Sequence, residues 1–283
     1  MNKFIKSQFF KLNVIILLSS LVSITTANEK LPDRWGVSLG AFKVDSINTT
    51  ANVAPKNLAV PLGLNIDLNR NLDVNDSDNS FRFDSYYRFT DRHKITLSYL
   101  QMKVTGEKTL NEQFDWDGQT YYAGARIGSY FENKTVKVGY LFSYHHTDKV
   151  ELAIGGGLHI STFGIGLDLI AQAQGQTMPA NFETSANLDI TTPLPYLSVL
   201  IEYQISPRWS FKWKYDALNL SFNNISGTMF DSFSSVEHRT FKNVGFGLGL
   251  NTFRINIEGD NSSAYYRINS SYDGLILFVK GYL

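Results

Sequence analysis

Apolar and polar residues alternate with a period of two along several stretches of this chain. Between residues 81 and 89, Phe81 and Phe89 share one face with other aromatic residues, and Arg82 and Arg88 share the opposite face. The same alternation occurs at 136–145, 197–205, 209–216 and 244–251. This period is typical of a β-strand whose two faces meet different surroundings. No segment of helical period competes with it, so the sequence predicts an all-β fold.

The connections between these strands are alternately short and long. Short polar turns lie at 90–93, 146–149, 206–208 and 242–243, and longer polar segments lie at about 46–78, 105–128, 170–195, 222–229 and 259–264. In an antiparallel chain this alternation places every short turn at one end. Outer-membrane barrels have that asymmetry, with short periplasmic turns and long external loops. The pattern predicts a transmembrane antiparallel β-barrel.

We predict ten strands, with eight or twelve as alternatives. Their bounds are roughly 34–45, 79–89, 94–104, 129–145, 150–169, 196–205, 209–221, 230–241, 244–258 and 265–283. An even number returns the chain to the periplasmic end, so the last strand is expected to pair with the first near residues 35–39. That closure would remove both free strand edges.

Two local irregularities are expected within this barrel. The apolar residues change parity between Leu250 and Phe253, which predicts a bulge near Asn251. Pro193 and Pro195 cannot donate to a strand ladder, so we expect them above the membrane at the start of the sixth strand.

The first 27 residues have the pattern of a cleaved signal peptide. Lys3, Lys6 and Lys11 precede an apolar run at 12–24, and Thr25-Thr26-Ala27 follows it. This run is shorter than the roughly 17–25 residues of a transmembrane helix. Cleavage after Ala27 would leave a barrel domain at 28–283 with a net charge of −3. That charge does not suggest a nucleic-acid partner, and the absence of Cys excludes disulfides and thiolate metal sites.

A soluble barrel or secreted sandwich would show the same alternation with its apolar face inside. Aromatic residues, however, make up 14% of this chain and collect near the strand ends, as they do in membrane-interface girdles. The sequence therefore favours the outer membrane, where lipid, lipopolysaccharide and the barrel assembly machinery are the expected partners.

The phrases "FRFDSYYRFTDRHKITLSY", "HTDKVELAIGGGLHIS", "TPLPYLSVLIEYQISPRWS", "FKNVGFGLGLN" and "SYDGLILFVKGYL" resemble an uncharacterised family of proteobacterial outer-membrane barrels. The resemblance covers most of residues 35–283 and implies the fold and the compartment. It implies no activity. The last residue departs from the pattern, because such barrels usually end in an aromatic residue and this chain ends in Leu283.

The face opposite the apolar one is expected to line the lumen and to carry a charge network. Its members are Arg82, Asp84, Arg88, Lys94, Lys137, Glu151, Glu202, Lys212, Lys214, Asp216, Glu237, Arg239 and Lys280. Arg88 and Lys94 fall close together at one turn, so Glu151, Glu202 or Glu237 is expected to compensate them. Unpaired charges in a confined lumen are costly, and barrels near eight strands are filled by side chains. The sequence predicts a largely plugged lumen and a structural or interaction role, with a narrow channel for small solutes as the alternative.

A hydrolase facing the outer leaflet is a third possibility. Its nearest catalytic candidate is His159-Ile160-Ser161, whose two polar side chains share the lumen face. Residues two apart along a strand are about 7 Å apart, too far for a nucleophile and its base. We therefore predict no catalytic residues, no enzyme activity and no cofactor.

Metal binding is not predicted either, and a surface ligand remains open. His145 and His146 are adjacent in a strand and point to opposite faces, which prevents both from binding one metal ion. The loop at 105–128 is expected to continue as a hairpin at 113–123, and its exposed aromatic residues are candidate contacts for a surface ligand.

Overall fold

The computed structural model describes residues 34–55, 64–116, 119–172, 185–222, 224–260 and 264–282. The predicted signal peptide lies outside these ranges. The strands in chain order are β1 (Trp35–Pro55), β2 (Leu64–Asp67), β3 (Asp78–Thr90), β4 (His93–Thr109), β5 (Phe114–Trp116), β6 (Gln119–Tyr121), β7 (Arg126–His146), β8 (Val150–Ala171), β9 (Ser185–Gln204), β10 (Trp209–Phe222), β11 (Ile225–His238), β12 (Val244–Asp260) and β13 (Ala264–Tyr282). All except β2, β5 and β6 belong to one antiparallel ring of ten strands.

The last strand closes the ring against the first, as the sequence predicts. Leu39 lies opposite Val279 and Phe42 lies opposite Ile276 in the β1–β13 ladder. The short turns and the two ends of the ring, Trp35 and Tyr282, lie at the same end of the barrel. We call this the lower end and the opposite one the upper end.

Several strands are longer than predicted because they continue above the membrane-facing part of the wall. β1 extends to Pro55, β9 begins at Ser185, and β11 runs from Ile225 to His238 rather than over 230–241. The segments at 46–78 and 170–195, predicted to be loops, are therefore partly strand. The bulge in β1 lies between Asp45 and Asn48, where Ser46 has a φ of 57°.

A short helix, α1 (Leu68–Leu72), follows β2 and was not predicted. The Asp67 side chain caps its first turn by accepting a hydrogen bond from the Arg70 amide at 3.0 Å. Leu68 and Leu72 are buried against the barrel interior. The predicted hairpin near 113–123 is present as β5 and β6, with Phe114 opposite Tyr121.

The lower half of the outer surface is an apolar belt. Its exposed residues include Trp35, Leu39, Phe81, Ile95, Leu97, Val138, Ile154, Leu158, Leu197, Val199, Phe246, Leu248, Leu277 and Val279. Aromatic rings gather at its lower edge, where Trp35 packs on Tyr87 and Trp209 on His238, each pair with centroids 4.7 Å apart. Among the described residues, no helix is long and apolar enough to cross a membrane.

Above the belt the polarity of the two faces is reversed. Polar side chains take the outward positions, among them Lys43, Gln101, Lys134, Thr162, Thr191, Thr252 and Asp273. Apolar side chains fill the interior at this level, among them Phe42, Val44, Ile47, Met102, Val104, Ile127, Phe131, Phe163, Ile165, Leu167, Phe253, Ile255, Ile257 and Ile268. The upper interior is therefore a hydrophobic core.

This reversal explains why the bulge predicted near Asn251 is wrong. The β12–β13 ladder runs without a shift from Leu250 opposite Leu275 to Phe253 opposite Tyr272. Leu250 points outward into the belt, and Phe253 points inward into the upper core. The apolar residues change parity because the apolar environment changes sides, while the strand itself stays regular.

The prediction that the two prolines stand at the start of a strand is also wrong. Both lie inside β9 and point outward, with Pro195 opposite Leu158 and Pro193 opposite Ile160. Leu158 belongs to the apolar belt, so Pro195 lies at the height of that belt. β9 tolerates them because its ladder with β10 has already ended at this height, which makes it an edge strand on that side.

Candidate functional site

The predicted charges meet inside the lower half of the barrel. The lower lumen network, as we call it, consists of Arg82, Asp84, Arg88, Lys94, Lys137, Glu151, Glu202, Lys212, Lys214, Asp216, Asp231, Glu237 and Lys280. Each side chain takes an inward position because its strand alternates between lumen and belt. Every member takes part in at least one ion pair.

Glu151 is the centre of the lowest cluster. Arg88 Nη2 donates to Glu151 Oε2 at 2.6 Å, and Lys94 Nζ lies 3.2 Å from the same carboxylate. Ser143 Oγ also donates to Glu151, at 2.5 Å. All four side chains are buried. A buried carboxylate with three donors has the hydrogen bonds that a charge in a confined site requires.

Glu202 joins this cluster to the opposite wall. Its carboxylate lies 3.7 Å from Lys94 Nζ and 3.6 Å from Lys212 Nζ. The Lys212 contact follows from the ladder, where Glu202 of β9 lies directly opposite Lys212 of β10. Glu202 is more exposed than Glu151, with 29% of its side chain accessible, so its contribution to stability is expected to be smaller.

Lys137 is held between two acids higher in the lumen. Its ammonium group pairs with Asp216 and, at 2.7 Å, with Asp231. Asp216 also accepts from Lys214 at 3.0 Å and from Ser198 Oγ at 2.6 Å. Four strands are tied together by this cluster, because its residues come from β7, β9, β10 and β11.

Arg82 links the network to the strands that close the barrel. It bonds Asp84 at 2.8 Å and Asn251 Oδ1 at 3.0 Å, and its guanidinium lies 4.6 Å from the centre of the Phe233 ring. Asn251 in turn donates to Asp231 at 2.6 Å. A separate pair, Lys280 with Glu237 at 3.0 Å, joins β13 to β11.

The sequence did not predict a place in the lumen for Asp231, a member of the network, or for Asn251, which bonds both Arg82 and Asp231. Asp231 lies at the predicted start of a strand, next to a predicted loop in which an acidic residue is common. Asn251 was assigned to a bulge. Arg239, predicted to point into the lumen, lies beyond the end of β11, where it donates to the Lys242 carbonyl at 2.8 Å and covers the Tyr282 ring.

A small cavity remains within the network. Its volume is about 60 Å³, room for about four water molecules at roughly 15 Å³ each. Its lining includes Lys94, Lys212, Lys214, Lys280, Asp84 and Glu237. The lower lumen is therefore filled by paired charges with a small polar space between them.

The separation predicted for His159 and Ser161 is wrong. His159 Nε2 lies 2.8 Å from Ser161 Oγ, and Ser161 Oγ lies 3.0 Å from Thr135 Oγ1. The estimate of about 7 Å applies to positions along the backbone, whereas side chains in a strand lean along it and meet. His159 also stacks on Phe253, with centroids 5.6 Å apart. Both polar residues are buried, at 1% and 0% exposure.

The upper rim carries a groove of about 610 Å³, lined in part by Ser226, Glu258, Tyr265, Tyr266 and Arg267. Arg267 Nη2 donates to Glu258 at 2.6 Å and Ser226 Oγ donates at 3.0 Å. The Arg267 hydrogen bond, which favours the ionised carboxylate, holds the pKa of Glu258 below its usual value. Among the described residues, no three His, Asp or Glu side chains are grouped to hold a metal ion.

Comparison with protein families gives one match. Residues 62–256 match the model of a family described as a protein of unknown function, DUF481. The chain belongs to this family. The match covers most of the ring and agrees with the uncharacterised family that the sequence resembles. No curated protein matches the chain.

Solved structures to which this chain is similar include outer-membrane proteins. The outer membrane protease OmpT of Escherichia coli has a TM-score of 0.53 and 10% identity, covering 92% of this chain and 100% of its own. The attachment invasion locus protein Ail of Yersinia pestis has a TM-score of 0.34 and 11% identity, covering 89% and 98%. The outer membrane protein OprG of Pseudomonas aeruginosa has a TM-score of 0.35 and 11% identity, covering 89% and 95%.

At these identities the likeness concerns the fold alone. The DUF481 chain is an all-β, ten-stranded outer-membrane barrel, as the sequence predicts, and its exposed apolar belt fits that membrane. With this fold, the lower end of the barrel is the periplasmic end, because the short turns lie there.

Proposed function

We propose that this protein is an outer-membrane barrel with a closed lumen, whose role is structural or in surface interactions rather than in solute diffusion. One observation carries the proposal: two chemically different layers fill the interior, paired charges below and apolar side chains above. An open pore needs a continuous water-filled path, but apolar side chains fill the upper layer of the interior.

The lower layer supports closure because its charges neutralise one another. Seven cations and six anions of the network bond within the lumen, and most of these side chains are buried. A hydrated channel wall would leave such groups in contact with water instead. Removing one partner from a buried pair would leave a costly charge, so the pairs hold the wall strands together.

The upper layer is completed by α1, which occupies the interior between β1 and β4. Ser129 Oγ donates to the Leu72 carbonyl at 3.0 Å, and Lys108 Nζ donates to the Arg70 carbonyl at 2.6 Å. The Ile47 amide donates to the Asp76 carbonyl at 2.8 Å. These bonds fix the segment after β2 inside the barrel mouth, where Leu68 and Leu72 enter the core.

The upper rim is the surface we propose for interactions. The groove beside Glu258 and Arg267 combines a charged pair with exposed Tyr265. Aromatic and arginine side chains are enriched at binding surfaces. A polar surface ligand is the partner this chemistry suits, in addition to the lipid around the belt and the assembly machinery that inserts such barrels.

Hydrolysis is a second candidate, favoured by the hydrogen bond between His159 and Ser161. The burial of both residues opposes it, since a substrate must reach the serine. A fluorophosphonate probe, which labels an activated serine, checks the point. We expect no labelling of Ser161, and labelling that the Ser161→Ala variant abolishes would establish the hydrolase instead.

Recording from planar bilayers tests the closed lumen. The purified protein should first show heat-modifiable mobility in gels, which establishes the folded barrel. We then expect no steady conductance above the lipid baseline at either sign of voltage. A steady, ion-selective conductance would overturn the closed lumen and make the protein a narrow channel. The same recording on a Leu68→Asp, Leu72→Asp variant shows whether the assay detects a barrel with a loosened upper layer.

A further inference from the structure

The lower lumen network carries one more positive charge than negative, since it contains seven cations and six anions. Two parts of it are balanced. Lys280 pairs with Glu237, and the group that links Lys137 to Arg82 contains three cations and three anions. A net charge inside a protein is costly unless a counter-charge accompanies it. The surplus therefore predicts a bound anion beside the remaining group.

That remaining group has three cations but only two acids. Arg88 and Lys94 both bond Glu151, at 2.6 and 3.2 Å. Glu202 lies between Lys94 and Lys212, at 3.7 and 3.6 Å, and both distances are longer than a hydrogen bond. Among the acidic side chains that the structure describes, Glu202 is the only one within ion-pair distance of Lys212. Lys212 is therefore the least compensated cation of the network.

The cavity of about 60 Å³ lies beside this lysine. Lys94 and Lys280 reach the same space, where their ammonium groups lie 5.2 and 5.6 Å from the centre of the Tyr86 ring. The lining contains more cations than acids, the cations being Arg82, Lys94, Lys212, Lys214 and Lys280 and the acids Asp84 and Glu237. The electrostatic potential in this space is therefore positive, and it attracts an anion.

The size and lining of the cavity indicate which anion fits. Leu141, Leu200 and Phe278 form other parts of the wall, so an occupant meets ammonium donors on some sides and hydrocarbon on others. A space of about 60 Å³ admits a single-atom anion with a few waters at roughly 15 Å³ each. One negative charge balances the surplus, whereas a divalent oxyanion would reverse it. A halide ion meets these conditions.

Water reaches the cavity. Lys212 and Asp84, which line it, keep 30% and 28% of their side chains accessible. Arg88 and Lys137, which lie outside the lining, keep 5% and 7%. The upper core closes the barrel above this level, so an ion enters from the periplasmic end.

We propose that the cavity binds one halide ion, held by Lys212 with Lys94, Lys214 and Lys280 around it. The ion neutralises the surplus charge and reduces the repulsion among the four lysines. This site goes beyond the closed lumen proposed for the protein, because the ion needs no path through the upper core.

Bromide tests the site, because its anomalous X-ray scattering identifies it in a crystal. Crystals of the unaltered barrel are soaked in sodium bromide, and we expect an anomalous peak in the cavity within hydrogen-bonding distance of Lys212 Nζ. The same soak of Lys212→Met crystals should give no peak there. A cavity without bromide in the unaltered protein would overturn the proposal. A peak that persists in Lys212→Met would show an adventitious ion only, which also overturns it.

Stability in solution gives a second measurement on the same protein. The unfolding midpoint in detergent is followed at constant ionic strength while sodium bromide replaces sodium gluconate, whose anion is too large for the cavity. An ion that binds the folded state raises the midpoint. In Lys212→Met this rise should fall by about threefold or more, because the surplus charge is gone. Lys212→Arg keeps the charge and should keep the rise.

Lys43→Met is the matched control, since Lys43 is exposed on the outer face with 64% of its side chain accessible. It should respond to bromide like the unaltered protein. An equal loss of the response in Lys43→Met and Lys212→Met would mean that bromide acts on surface charges, against the proposal. In gluconate alone, Lys212→Met should be at least as stable as the unaltered protein. A large loss of stability there would show that Glu202 already compensates Lys212, and would overturn the surplus.

The site and the closed lumen can fail separately. A bromide peak in the cavity without steady conductance across planar bilayers supports both. A steady conductance together with that peak would overturn the closed lumen and leave the halide site supported. Absence of the peak would overturn the halide site, whatever the conductance.

Discussion

Arg88 and Lys94 lie directly opposite each other in the β3–β4 ladder, and the carboxylate of Glu151 bonds both. Two like charges on adjacent strands are destabilising by themselves. The acid that compensates them comes from β8, which lies two strands further around the ring. The like charges beside the turn between β3 and β4 are therefore compensated by an acid from outside that hairpin.

Replacing Arg88 should destabilise the barrel strongly. In Arg88→Gln the buried Glu151 keeps only Lys94 and Ser143, so we expect a loss of about 3–5 kcal/mol. The exposed pair of Arg267 with Glu258 is the matched control, and Arg267→Gln should cost about 0–1 kcal/mol. Unfolding midpoints in detergent measure both. Equal midpoints for the two variants would mean that the lower lumen is hydrated.

Arg88 and Glu151 should be coupled. The double variant Arg88→Gln, Glu151→Gln removes both charges together, so its loss should be smaller than the sum of the two single losses. Glu202→Gln should have a smaller effect than Glu151→Gln, because Glu202 is partly exposed and lies 3.7 Å from Lys94. Strict additivity of Arg88 and Glu151 would contradict the ion pair.

Close packing of β8 on β7 should make two glycines sensitive to substitution. A methyl group added at Gly155 would meet the Tyr140 carbonyl, and one added at Gly157 would meet the Val138 carbonyl. Alanine at either position should cost about 1–3 kcal/mol through overpacking. Gly281→Ala is the control, since its nearest atom, the Val37 carbonyl, is 3.8 Å away. The folded fraction in gels measures each variant, and a tolerant Gly155 would show that the two strands can separate.

The rim pair should weaken in acid. The pKa of Glu258 is below its ordinary 4.5 in the folded protein, because Arg267 and Ser226 donate to the ionised form. A depressed pKa adds stability above the unfolded value, and that stability is lost as the pH falls through the folded value. In Arg267→Gln the pKa of Glu258 should rise toward 4.5, which a carboxyl-selective NMR titration measures. An unchanged pKa would mean that Arg267 does not bond Glu258 in solution.

The cap of α1 should control order at the upper mouth. Asp67→Ala removes the acceptor for the Arg70 amide and should cost about 0.5–2 kcal/mol of local stability. Hydrogen exchange should quicken at residues 68–74 while β13 stays protected. Asn71→Ala removes the acceptor for the Asp67 amide and so reports on the turn before the helix. Unchanged exchange in Asp67→Ala would show that packing of Leu68 and Leu72 alone fixes the helix.

The ring and its closure could be predicted because belt strands have a simple period. Residues such as Phe81 and Arg82 alternate between lipid and lumen, and the turn lengths place the termini together. The upper wall was harder to predict, because Phe253 and Ile255 point inward, whereas the bulge predicted near Asn251 would have turned these apolar residues outward. α1 has five residues, too few to show a helical period, and its N-cap at Asp67 was the available signal.

The charge network was harder to predict than the ring. The alternation along each strand predicts which charged side chains point inward. The ion pairs among them depend on which strands become neighbours and on the register between those strands. Arg88 and Lys94 could be placed together because one short turn joins their strands. That Glu151 rather than Glu202 bonds both of them could be seen only from the position of β8 relative to β3 and β4 in the structure. The contact between His159 and Ser161 depends on side-chain direction, which spacing along a strand does not determine.

The change of polarity above the belt also fixes how deep the barrel sits. Several strands change from apolar to polar on the outer face at this height, as in the step from Ala41 to Lys43 or from Val136 to Lys134. Sliding the barrel inward by one such step would bring these lysines into hydrocarbon, and sliding it outward would expose belt residues to water. The chain thereby encodes the thickness of the membrane it fits, and a thinner or thicker bilayer should strain every strand at once.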